Sequence, residues 1–146
     1  AGEFRGVAVP VVFWENALLR PARESLTDNG IVTAGTNLTV VDVTHPIMQG
    51  LSLGSMPVYT ASANLSLGQG TVGAGTRVLA RREGSSDVAV MAAEAGATVT
   101  GGYVTPARRA FLFLEDSTWV STTPQGKNLF DRCVFWAMNV SAPSVT

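Results

Sequence analysis

Residues 7–14 read VAVPVVFW, an unbroken apolar and β-branched run. A run without polar alternation predicts a strand covered on both faces, as in the parallel sheet of an α/β protein. Pro10 has no backbone donor and marks a strand margin or a local break. A strand of this kind needs helices on both sides of its sheet, yet the chain offers one good helix. There Thr123 suits an N-cap and Pro124 the first helical position. Leu129, Cys133, Trp136 and Val140 fall on one stripe, with Phe130, Val134 and Ala137 beside it. The expectation is a strand-rich α/β domain with a C-terminal helix packed on its sheet.

Strands are also predicted at 38–43 (LTVVDV), 57–62 (PVYTAS), 77–81 (RVLAR), 88–93 (VAVMAA) and 109–114 (RAFLFL). Residues 16–36 are ambiguous: ALLRPARESL has helical content interrupted by Pro21, and Asn29-Gly30 and Gly35 mark turns. In THPIMQGL, Pro46 and Gly50 close a turn or a short helical segment. The four glycines of NLSLGQGTVGAG (64–75) predict a loop, as do those of 95–107. Residues 141–146 (SAPSVT) read as a linker.

The 146 residues suffice for one domain with a core, and only 14% of them are charged. Net charge is −1 with no run of Lys or Arg, which argues against nucleic-acid binding. No apolar stretch approaches the roughly 18 residues of a membrane span. One cysteine, Cys133, excludes an internal disulfide and a thiolate cluster, and one histidine, His45, excludes a multi-His zinc site. Any imidazole-based catalytic device would have to use His45. The glycine loop lacks the spacing of a phosphate cradle.

VAVPVVFWENALL resembles the strand and turn that carry the nucleophile in class I glutamine amidotransferase-like domains. DVTHPIMQGL resembles the His-Pro-Ile…Gly turn of the trehalose-utilisation-type (ThuA-like) members of that superfamily. VAVMAAEAG, ARRAFLFLED and GKNLFDRCVFWAMN resemble the closing strand pair and final helix. The resemblance implies a partial flavodoxin-like sheet, with residues 1–140 as the C-terminal portion of such a domain. It also implies that roughly two strand–helix units, about 60 residues, would precede it. Such domains occur in large secreted bacterial proteins, which implies an extracellular or periplasmic setting. The family's catalytic cysteine is replaced at or near Glu15, and its His-Pro-Glu by Leu114-Glu115-Asp116. Without that thiol there is no thioester route to ammonia from glutamine, so the resemblance implies a non-catalytic module that binds a ligand or glycan or serves a structural role.

The candidate site lies where strand ends meet. If the strands before Glu15 and Glu115 are parallel neighbours, their carboxylates share the carboxyl edge of the sheet, where open α/β sheets bind ligands. Glu15, Asn16, Glu115, Asp116 and Trp119 are the candidate ligand-binding residues. Trp119 lies in a polar stretch and is the best candidate for stacking on a carbohydrate, whereas Trp14 and Trp136 read as core. No cofactor is called for, although such carboxylates can hold Ca²⁺ or Mg²⁺; solvation, or pairing with Arg20, Arg23 or Arg108, is the plainer role. The alternative is a hydrolase in which Glu15, Glu115 or Asp116 works with His45. His45 equally suits a ring that fixes its own turn, and Cys133 a buried apolar side chain. Glu94 should lie at the opposite end of the sheet. An uncovered face or edge on Val7–Trp14 predicts a homo-oligomer through residues 5–20, or packing against adjacent domains.

Overall fold

A computed structural model describes residues 4–140. It is an α/β structure: one mixed sheet of eight strands with a single α-helix, at its C-terminal end, packed on it. The strands are β1 (Val11–Phe13), β2 (Thr27–Gly35), β3 (Asn37–Val40), β4 (Gly54–Pro57), β5 (Ala63–Val72), β6 (Thr76–Arg82), β7 (Val88–Ala93) and β8 (Arg109–Leu112). Helix α1 spans Pro124–Ala137. The main path across the sheet is β1-β8-β7-β6-β3-β4, and the β2–β5 ribbon joins it where Gly68 pairs with Val88. β1 and β8 run parallel, in register Phe13 to Phe111, and every other pairing is antiparallel.

The strands buried on both faces are β7 and β8, in which every residue is buried. Their side chains divide between two cores. Val90, Ala92, Ala110 and Leu112 face the core under α1, with Leu129, Cys133 and Trp136. Val88, Met91, Ala93 and Phe111 face a second core with Phe13, Leu19, Leu26 and Val99. The expectation that Val7–Trp14 is the doubly covered strand is therefore corrected. Only Val11–Phe13 is strand, it lies at the edge of the sheet, and residues 7–10 are exposed. Pro10 stops the ladder, and the carbonyls before it have a different partner. The guanidinium of Arg109, fully buried, donates to Val9 O (2.9 Å), Val7 O (2.8 Å) and Phe4 O (3.0 Å). Its Nε bonds buried Glu24 at 2.9 Å. The N-terminal segment thus curls around a cation instead of extending.

The glycine-rich stretch 64–75 is also corrected, since most of it belongs to β5, the longest strand. Gly68 is needed for close packing: a Cβ there would lie 2.8 Å from Thr27 Cγ2 and 2.9 Å from Met91 Cε. Asn29-Gly30 lies inside β2, where a Cβ on Gly30 would sit 1.9 Å from the Asn16 carbonyl oxygen. The ambiguous segment 16–36 resolves into one 3₁₀ turn (Asn16–Leu19) and β2. The strand expected at 57–62 lies earlier, at Gly54–Pro57. The helix begins as expected, with Thr123 Oγ1 accepting from Gly126 N–H at 3.0 Å. Val140 falls beyond it and is exposed. The linker expected at 141–146 lies outside the described residues.

Candidate functional site

The parallel pairing of β1 and β8 places their carboxyl ends side by side. Chain segments leaving the two strands bring together Trp14, Leu114, Glu115, Asp116 and Trp119, and α1 adds Phe130 from above. These six residues line a cleft of about 310 Å³. Leu114 is a buried floor, while Trp14, Phe130 and Glu115 are half-buried and Asp116 and Trp119 exposed. The rings follow one another around the cleft. Trp14 and Phe130 lie 6.1 Å apart, tilted by 66°, and Phe130 and Trp119 5.5 Å apart, tilted by 75°.

Both lining carboxylates are held by one oxygen. Trp14 Nε1–H donates to Asp116 Oδ1 at 3.1 Å. The hydroxyl of buried Ser66, on β5, donates to Glu115 Oε1. The turn that presents them is fixed from below: the Tyr59 hydroxyl lies within hydrogen-bond distance of Asn64 O (2.8 Å) and Thr118 Oγ1 (2.9 Å), and Thr118 Oγ1 donates to the Glu115 carbonyl (2.9 Å) and accepts from Glu115 N–H (3.1 Å). Burial pushes the Tyr59 phenol up to about 12, so it remains a donor across the physiological range. Thr122 Oγ1–H donates to Thr118 O at 2.8 Å and closes the next turn. A loop with buried hydroxyl partners keeps one geometry before a ligand arrives.

Of the five residues expected to bind a ligand, Glu115, Asp116 and Trp119 line the cleft. Glu15 and Asn16 do not. The Glu15 carboxylate accepts from Ala17 N–H at 3.1 Å and caps the 3₁₀ turn, and the Asn16 carbonyl is packed against Gly30. Trp14 and Phe130 are the lining residues that sequence reasoning assigned to the core or to its flank. Their apolar context hides that β1 is an edge strand, which leaves one side of Trp14 open to the cleft.

His45 is not at this site. Its ring lies edge-on to Trp136 (4.9 Å), and Nδ1 accepts from Ile47 N–H at 3.2 Å, fixing the turn Pro46–Met48. Trp136 also carries the guanidinium of Arg108 on its face at 4.7 Å, and Arg108 pairs with Glu94 at 3.0 Å. That places His45 and Glu94 at the amino end of β8. Along α1, six residues, roughly 9 Å at 1.5 Å each, separate Trp136 from Phe130 at the cleft. Burial lowers the His45 imidazole to about 4, so it is neutral near pH 7. A hydrolase built from the strand-end carboxylates and His45 therefore lacks its base. Cys133 is wholly buried, and burial raises its thiol to about 12, which keeps it from reacting as a thiolate. Arg108, one of the expected partners of the strand-end acids, serves Glu94 instead. Among the described residues, no group of three or more His, Cys, Asp or Glu is placed to hold a metal ion.

No family model, curated protein or solved structure matches the chain.

Proposed function

We propose that the chain is a non-catalytic binding module whose ligand occupies the cleft at the carboxyl end of β1 and β8. The observation that carries this reading is the pairing of three accessible aromatic rings with two carboxylates that no Lys or Arg side chain neutralises among the described residues. Half-exposed rings around a concave surface are the usual makings of a small-molecule site. The buried support of the 115–118 turn favours recognition by a prearranged surface. An imidazole or thiol that could serve chemistry here is elsewhere: His45 is at the far end and Cys133 is inside the core.

The chain has three tryptophans, and two of them line the cleft. In a ¹⁵N-labelled sample, titration with tetramethylammonium and with glucose should show at least one compound shifting the Trp14 and Trp119 indole N–H signals. The Trp136 signal should stay in place. If neither compound moves Trp14 or Trp119 at concentrations up to tens of millimolar, the binding reading is wrong.

A setting within a longer, secreted bacterial protein of amidotransferase-like ancestry rests on the sequence resemblance alone. Self-association through residues 5–20 is supported by β1, hydrogen-bonded along one edge by β8, and by exposed Val7 and Val9 beside it. Sedimentation velocity showing a monomer at high concentration would remove it.

A further inference from the structure

We infer that the cleft takes an organic cation, a quaternary or methylated ammonium group, which rests on the reading of the cleft as a ligand site and names the ligand's chemistry. Its polar complement is one-sided. Carboxylates accept hydrogen bonds and attract positive charge; they donate nothing. The N–H of Trp14 is already given to Asp116, and the hydroxyl of Ser66 to Glu115. Each bond fixes a carboxylate while leaving its second oxygen without a protein donor among the described residues. The ion pairs described there engage Arg77 with Asp42, Arg108 with Glu94 and Arg109 with Glu24. The cleft thus combines carboxylates without an ion-pair partner among the described residues with apolar walls.

The rings have the arrangement a cation uses. A cation is held over a ring face within about 6 Å of its centroid, most strongly by Trp. Tilts of 66° and 75° between successive rings make walls that meet at an angle, so a compact group can touch more than one. A sugar ring stacks on one flat face and presents donors and acceptors together. The Trp119 ring already carries a cation, since Lys127 Nζ lies 5.3 Å from its centroid. Lys127 does not line the cleft, so it acts on a bound cation as a neighbouring like charge and weakens it. The buried Leu114 floor suits methyl groups. A Ca²⁺ ion stripped of its water would instead require six or more oxygen ligands.

The test compares matched probes on the folded chain, read at the indole N–H signals. Choline and tetramethylammonium should shift Trp14 and Trp119 and leave Trp136 unmoved. The neutral carbon isostere 3,3-dimethylbutan-1-ol should bind about tenfold more weakly, and added salt should weaken the cations but not the alcohol. Asp116→Asn keeps an acceptor for Trp14 and should lower choline affinity about fivefold, with an unchanged melting temperature as the folding control. Lys127→Met should raise it about threefold. Equal binding of choline and the alcohol overturns the inference, as does Lys127→Met weakening choline. Shifts of Trp14 and Trp119 by glucose or by Ca²⁺ but not by choline overturn it too, while leaving the cleft as a binding site. Absence of shifts with every probe overturns the inference and the binding reading together.

Discussion

The two ends of β8 use charge and aromatic groups in opposite ways. At the amino end every charged group described has a partner. Arg109 is caged by Glu24 and by main-chain carbonyls from the N-terminal segment, Arg108 joins Glu94 and covers Trp136, and His45 is buried neutral against the same ring. At the carboxyl end, about seven residues away, Glu115 and Asp116 have no cationic partner among the described residues, and three rings stay partly open. Chemically similar residues therefore stabilise the fold at one end and stand available at the other. A group whose bonds are all satisfied within the chain has nothing left for a ligand. A carboxylate anchored by one oxygen is both positioned and free.

The largest effect expected from this contrast is at the amino end. Arg109→Met strands Glu24 in the core and releases the carbonyls of residues 4–9. Breaking one partner of a buried pair costs about 3–5 kcal/mol, which urea unfolding would read directly. A loss below about 1 kcal/mol would mean that Glu24 finds solvent or another partner. Next in size is a pH effect. The folded-state pKa of His45 is about 4, below its unfolded value of 6.5, so the folded protein binds fewer protons between those values. Its contribution is complete above pH 6.5 and is lost as pH falls towards 4, with about 2 kcal/mol lost between pH 7 and pH 5. His45→Asn keeps an acceptor for Ile47 N–H and should flatten this limb, whatever its effect at pH 7. An unchanged slope would show that another group titrates. Removing the helix cap with Thr123→Ala should cost about 1 kcal/mol by urea or heat, since Thr123 Oγ1 serves Gly126 N–H. At the carboxyl end, Asp116→Asn should change stability by less than about 0.5 kcal/mol.

What the sequence made legible follows from how local each signal is. The helix start at Thr123-Pro124, the turn at Pro46 and the strands at 77–81 and 88–93 depend on neighbouring residues, and they are found close to where local chemistry puts them. Two of the three lining residues that were foreseen, Glu115 and Asp116, follow from a strand end and a parallel neighbour; Trp119 followed from its polar surroundings. The doubly buried strand is hard to place from sequence because VAVPVVFW and VAVMAA look alike in apolar content. The difference lies in Pro10 and in Arg109, a hundred residues away, which claims the carbonyls of Val7 and Val9. Gly68 and Gly70 read as a loop because close packing against Thr27 at the first and a positive φ of 82° at the second select the same residue type as a turn does. Glu15 looked like a site residue by position along the strand, and only the 3₁₀ turn that follows shows its carboxylate engaged with Ala17 N–H.

The separation proposed between the two ends of β8 gives one to folding and the other to binding. Measuring choline affinity and urea stability together on Arg109→Met and Asp116→Asn tests it most directly. Arg109→Met should lose several kcal/mol of stability, while the fraction still folded binds choline as the parent does. Asp116→Asn keeps its stability and loses about fivefold in affinity. If Asp116→Asn instead unfolds the chain, the carboxyl end is structural as well; if it leaves choline affinity unchanged, that carboxylate takes no part in binding; either result contradicts the separation.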